Sequence, residues 1–152
     1  MIFGKRVSEY LAFQKPFLIL LAAVGLARLG LSLAGLPNTS VRWLSMNAVL
    51  WIATVYYGVA VHTRRFGSYR QLLPLVVFQL ALFHSIAILG ILLTIAGLPN
   101  IYGAPEYSVP NQWLHIGGHL TIGMVVASLL LWGFASLVLL ATKKLSRRPA
   151  LA

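Results

Sequence analysis

Apolar residues in this chain fall into four long runs broken only by isolated polar positions: Phe17 to Leu36, Trp43 to Val61, Leu72 to Leu98 and Gln112 to Thr142. Each is close to or beyond the roughly 20 helical residues needed to cross a hydrocarbon core. The pattern predicts an all-α protein, a polytopic membrane four-helix bundle. Ahead of the first run, Phe3, Val7, Tyr10 and Leu11 recur at helical spacing against Lys5, Arg6 and Glu9. This predicts an interfacial segment over residues 1–16, lying along the membrane surface and closed by Pro16. A single transmembrane domain over 17–142 and a basic tail over 143–152 complete the layout. Ser68-Tyr69-Arg70-Gln71 has the form of a capping box and predicts a helix start with Ser68 as N-cap. Lys5, Arg6 and the small residues of Ser32-Leu33-Ala34 imitate a secretory signal, but the first run is too long for one.

A repeat refines the pattern. LAGLPN at residues 33–38 returns as IAGLPN at 95–100, each closing an odd-numbered helix, and each is followed by a Trp-Leu pair, Trp43-Leu44 and Trp113-Leu114. The chain therefore reads as two tandem helical hairpins, 17–61 and 72–142, in parallel orientation about an axis along the membrane normal. Gly35 and Gly97 suit the left-handed position after a helix C-cap, with Pro37 and Pro99 unable to continue the helix. The repeat aligns Gly25, Arg28, Ser32 and Gly35 with Ala87, Gly90, Thr94 and Gly97, a stripe of small residues that lets helices approach closely. In the fourth run His115, His119, Gly123 and Ala127 form a similar stripe.

Composition agrees with the pattern: 59% of the residues are hydrophobic, 9% are charged, and the mean hydropathy is +0.86. These values exclude an ordinary soluble domain. The net charge of +10 would suggest nucleic-acid binding in a soluble chain, but here the basic residues lie between apolar runs. Lys5, Arg6, Lys15, Arg64, Arg65, Arg70, Lys143, Lys144, Arg147 and Arg148 fall on one side, against Arg42 and the acidic Glu106 on the other. The bias predicts both termini in the cytoplasm and a protein of the bacterial cytoplasmic membrane, with the bilayer and other membrane subunits, or a second copy, as partners and no nucleic acid. The absence of cysteine removes thiolate ligands, thiol nucleophiles and disulfides.

Candidate chemistry gathers in the half of the bundle nearer the two outer loops. From the helical rise, Arg28 lies about 10 Å below Gly35, Asn47 about 6 Å below Trp43, and His115 and His119 about 3 and 9 Å below Trp113. Arg28, Asn47, His115 and His119 are therefore expected to line one polar pocket, with room left by Gly90, Gly117 and Gly118. A charge inside a membrane helix requires a partner, and Glu106 is the one acidic residue on that side. If Glu106 does not supply it, Arg28 suits an anionic group such as a haem propionate, with His119 as axial ligand to haem b or as donor to a quinone carbonyl. His115 and His119, four apart on one helix face, could instead chelate a metal ion with Glu106 as third ligand. His84 is placed about 20 Å below Gly97, roughly 11 Å deeper than His119, which argues against the two as an axial pair. A proton relay through Thr54, Gln79 and His84 is a further arrangement of isolated polar groups, and His62 falls at the cytoplasmic end of the second run.

No paired carboxylates, nucleophile elbow or glycine-rich phosphate loop is present, so an independent enzyme is not expected. Two functions remain. One is a small membrane protein holding haem or quinone near the extracytoplasmic side and taking part in electron transfer. The other is a non-catalytic accessory or assembly subunit of a membrane complex, with no bound cofactor.

Overall fold

The computed structural model describes residues 1–104 and 107–146. Helix accounts for 79% of the described residues, with no strands among them. In chain order the elements are α1 (Val7–Leu33), the short α2 (Asn38–Val41), α3 (Met46–Thr63), α4 (Tyr69–Ile95), α5 (Val109–Gly118) and α6 (Met124–Ser146). A π-helical turn, His119–Gly123, joins α5 to α6, and together they make one 38-residue rod, Val109–Ser146. That rod, α1, α4 and the α2–α3 segment are each long and apolar enough to cross a membrane.

The first helix begins ten residues before the expected Phe17, and Pro16 lies inside it. Interior proline removes a backbone hydrogen bond and usually breaks a helix, but here tertiary packing carries the helix through. Tyr10 is fully buried, edge-on to Phe66 at 5.5 Å, and Phe13 stacks on Phe66 at 4.0 Å. Residues 7–16 of the segment expected along the membrane surface thus belong to the same helix as the first apolar run. Phe3 belongs to a tight turn in which Ile2 and Lys5 exchange backbone hydrogen bonds of 2.8 and 3.0 Å. Phe3 and Gly4 both have positive φ, 46° and 84°, the signature of a type I′ turn. Tyr10 Oη donates to the Ile2 carbonyl and Gln71 Nε2 to the Phe3 carbonyl, tying this turn to the start of α4. There the predicted capping box is present: Ser68 N donates to Gln71 Oε1 at 2.8 Å.

The two hexapeptides end their helices in the same way. Gly35 N donates to Ser32 O and Leu36 N to Leu31 O; Gly97 N donates to Thr94 O and Leu98 N to Leu93 O. These are the paired bonds of a Schellman motif, and they place the two glycines at φ 85° and 86°.

Burial forms two stacked clusters. Tyr10, Tyr57, Leu72, Leu75 and Leu139 fill the end near the chain termini, and Leu21, Met46, Leu50, Val76, Leu80 and Leu131 fill the end near the two hairpin loops. α3 and α4 form the middle of the bundle, with half of each spanning stretch buried. α1 packs on α3 and α4, and α6 packs on the same two helices; among the described residues no Cα of α1 lies within 8 Å of α5, the π turn or α6. Close approach needs small residues. A Cβ on Gly58 of α3 would lie 2.6 Å from Val138 Cβ and 2.9 Å from the Ala135 carbonyl of α6.

A methyl group placed on either Gly35 or Gly97 would meet no neighbour within 4 Å, so replacing either with alanine adds only the strain of a left-handed L-residue, about 1–2 kcal/mol. Gly35→Ala and Gly97→Ala should therefore each lower unfolding stability by that amount and by similar degrees, measured as denaturation of the detergent-solubilised protein.

Candidate functional site

Proline ends each Schellman motif, but the two loops then diverge. After Pro37 the chain makes α2 and reaches α3 quickly. After Pro99 it turns back alongside the last two turns of α4. Asn100 Nδ2 donates to the Gly90 carbonyl at 2.7 Å and to Thr94 Oγ1 at 3.0 Å. The Tyr102 ring lies where a side chain on Gly90 would stand, 2.7 Å from that Cβ position, and its hydroxyl donates to the Gly25 carbonyl of α1 at 3.2 Å. Ile101 N donates to Ser32 Oγ, and Gly103 packs on Thr94. Buried Gln112, at the start of the last rod, then donates to the Ala104 carbonyl at 2.6 Å.

This inward fold sets the register of the site. With His119 level with His84, six residues of helical rise put Trp113 about level with Gly90 and not with Gly97. The equal-depth assumption behind the 11 Å offset is thereby removed: His84 Nδ1 and His119 Nδ1 lie 2.8 Å apart, in direct hydrogen bond. One nitrogen must carry the proton and the other must accept it.

Two further features allow the contact. The His84 ring is seated on Gly123: a Cβ there would lie 2.6 Å from Cε1 and 2.9 Å from Nε2. The π turn holds the rod's buried face in line. Ile116 of α5 and Ser128 of α6 are both buried, yet 12 α-helical residues would set them roughly 120° apart. A π turn absorbs one residue and reduces the error to about 20°. Thr121 Oγ1 takes up the Gly117 carbonyl within this stretch at 2.7 Å.

Three imidazoles stand in file. The His115 and His119 ring centroids are 4.9 Å apart, those of His119 and His84 5.0 Å, and Tyr107 sits edge-on to His115 at 5.6 Å. His115 borders a pocket of about 340 Å³ with Tyr107, Asn111 and Leu114. His84, 7% exposed, lines a groove of about 250 Å³ between α3, α4 and α6, with Asn47, Leu50, Trp51, Leu80, Phe83, Ala127, Leu130 and Leu131. Trp51 and Leu130 are 51% and 67% exposed, so the groove opens sideways, where a bilayer would lie. Its walls are apolar except for Asn47 and His84. Nε2 of His84 and Nδ1 of His115 are buried without a hydrogen-bond partner among the described residues, and such a polar atom costs about 1–3 kcal/mol.

Among the described residues, the side chains expected to share one pocket have different surroundings. Arg28 bonds within the first hairpin, and among the described residues no Cα of α1 lies within 8 Å of the last rod. Its Nη1 donates to the Leu44 carbonyl at 3.1 Å and its Nη2 to Asn38 Oδ1 at 2.9 Å, anchoring α2 and the start of α3. The repeat explains the position. In the second half Gly90 replaces Arg28, and Asn100 reverses the role of Asn38 by donating to the Gly90 carbonyl. Asn47 lies with His84 in the groove and not with Arg28. Glu106, the expected counterion and third metal ligand, falls outside the described residues. Among those described, no three His, Cys, Asp or Glu side chains are arranged to hold a metal ion. The relay through Thr54 and Gln79 is not continuous either: Thr54 Oγ1 donates to the Leu50 carbonyl and Gln79 Nε2 to Tyr57 Oη.

Gly123 and Trp51 complete the site beyond the sequence expectations. The stripe containing Gly123 was visible at i+4 spacing from His119, but its partner ring on α4 was not. Gly123→Ala should expel the His84 ring and destabilise the protein by about 1–3 kcal/mol through overpacking, with a lowered Tm and changed His84 and His119 imidazole resonances as the readout. No family model, curated protein or solved structure matches this chain, and the geometry of the groove and its histidines is therefore what carries a functional reading.

Proposed function

We propose that this chain is an integral membrane protein with four spanning helices, arranged as tandem hairpins with both termini in the cytoplasm, and that its lateral groove takes the head group of a quinone-type redox carrier. The observation that carries this reading is an otherwise apolar groove, open sideways, that is lined by the buried His84 imidazole and the exposed Asn47 amide. A quinone head offers carbonyl acceptors to such groups, and its apolar tail can leave between Trp51 and Leu130 without crossing a polar surface. Asn47, exposed at the groove, supplies an amide donor. Small-molecule sites usually measure about 300–1,000 Å³, so the groove suits a head group whose tail lies outside.

Haem fits this arrangement less well. An ion bound about 2 Å from each of two imidazole nitrogens holds them about 4 Å apart, whereas His84 and His119 bond each other directly at 2.8 Å. The metal reading through His115, His119 and Glu106 lacks a described third ligand. Arg28 needs no foreign anion to engage its terminal nitrogens, since Asn38 and Leu44 accept from them. The alternative function, an accessory subunit without a cofactor, is tested by the same experiment.

Titrating the detergent-solubilised protein with a decyl-tailed benzoquinone should quench tryptophan fluorescence saturably. Trp51→Phe should remove most of the saturable quench, and His84→Phe should weaken the apparent Kd about tenfold, as loss of one hydrogen bond to a buried group implies. The visible spectrum should lack a Soret band. Linear quenching that is the same in Trp51→Phe would favour the accessory-subunit reading, and a co-purifying Soret band would restore haem.

A further inference from the structure

We infer that the end of the last rod binds an anionic glycerophospholipid: Lys143 and Lys144, with Tyr69 of α4, take its phosphate, and the leucines one and two turns below them take an acyl chain. This rests on the membrane reading of the chain and is independent of the groove and its histidines. The two lysines and Tyr69 line a cleft of about 380 Å³ between the start of α4 and the end of α6, with Leu140 as its apolar wall.

One cation of the cleft is held in place. Lys143 is half-buried, and its ammonium stands 4.4 Å from the centroid of the Tyr69 ring, a cation–π contact that restrains a long flexible side chain. Trp132 Nε1 donates to the Tyr69 carbonyl at 2.8 Å, so Tyr69 is itself tied to α6. Lys144, exposed, lines the same cleft. Among the described residues neither lysine has a carboxylate partner. The chain carries two acidic side chains. Glu9 is bonded to Lys5 at 3.3 Å and to the Arg6 amide. Glu106 precedes the other end of the rod, whose first residue, Val109, stands about 50 Å from Lys143 by helical rise. Neighbouring like charges repel, and a phosphate between them replaces that repulsion with charge-assisted hydrogen bonds.

The apolar side decides what carries the phosphate. Leu137, Leu140 and Lys144 follow one another at spacings of three and four, on one face of α6, and the two leucines are 65% and 54% exposed. Gly133 continues that face, and a methyl group on it would meet nothing within 4 Å. An acyl chain can therefore run along the helix below the phosphate, whereas a soluble phosphate or an acidic peptide would leave this strip uncovered. A zwitterionic lipid offers the same chains, but its headgroup brings a further cation to the two lysines.

The test uses the full-length protein in detergent, titrated with phosphatidylglycerol, with phosphatidylcholine of the same acyl chains and with glycerol phosphate, bound lipid being counted by native mass spectrometry. Phosphatidylglycerol should bind about tenfold more tightly than phosphatidylcholine, and excess glycerol phosphate should not displace it. Lys143→Gln and Lys144→Gln should each weaken the phosphatidylglycerol complex about fivefold. Tyr69→Leu, which leaves the net charge unchanged, should weaken it about threefold by releasing Lys143. Lys15→Gln removes an exposed charge on α1, outside the cleft, and should leave the complex as it is. Equal affinities for the two lipids overturn the inference. So does a loss in Lys15→Gln as large as in Lys144→Gln, the result that general attraction to a basic surface would give. Displacement by glycerol phosphate assigns the lysines to a soluble phosphate and overturns the lipid. Should Tyr69→Leu not fold, the comparison of exposed Lys144 with exposed Lys15 decides. A protein that stays in solution without detergent and binds neither lipid overturns the membrane reading itself.

Discussion

The hydrogen bond between His84 and His119 joins α4 to the last rod where imidazoles of the two face each other, and the geometry around it follows from making that bond possible. In a low-dielectric interior an unpaired polar group costs more than the net gain of most hydrogen bonds, so two histidines on facing helices must meet or be lost to misfolded alternatives. Their meeting requires a shared depth, a missing side chain and a correct face. The inward fold of residues 100–104 supplies the first, Gly123 the second and the π turn the third.

The same requirement explains why the two halves, alike in their helix ends, differ in their loops. Identical Schellman motifs at Gly35 and Gly97 launch both loops in the same way. Position 28 then holds an arginine that reaches out to Asn38 and Leu44, whereas position 90 holds a glycine that lets Tyr102 and Asn100 come in. Arg28 thus marks a loop pinned outside the helix end, and Gly90 one folded against it. Packing is asymmetric: the last rod meets α3 and α4, and among the described residues no Cα of α1 lies within 8 Å of it. The groove is bordered by α3, α4 and α6.

Much of this was legible along the chain. Four apolar runs gave four spanning-length helices, and the LPN repeats gave the matching caps because a left-handed glycine is a local requirement that sequence states directly. Ser68 and Gln71 gave the capping box for the same reason. Depth was not legible. Counting about 1.5 Å per residue from Gly97 and from Trp113 assumes that both begin at one level, and the hydrogen bonds that pull residues 100–104 down along α4 are tertiary. That misplacement set His84 apart and drew Arg28 toward the histidines. Pro16 misled in a similar way, since its local tendency to break a helix was overridden by Tyr10 and Phe13 packing on Phe66. The π turn has no sequence signal beyond the weak helix formers Gly117 and Gly118 before it.

Register and groove both depend on an N–H···N bond between two particular nitrogens. A through-bond ¹⁵N–¹⁵N scalar coupling measured on selectively labelled protein reports that bond and no other. A cross-peak linking His84 Nδ1 to His119 Nδ1 is the predicted result. Its absence, with both nitrogens instead showing the shifts and exchange of solvent-facing imidazoles in folded protein, would contradict the register of α4 against the last rod and the groove built on it.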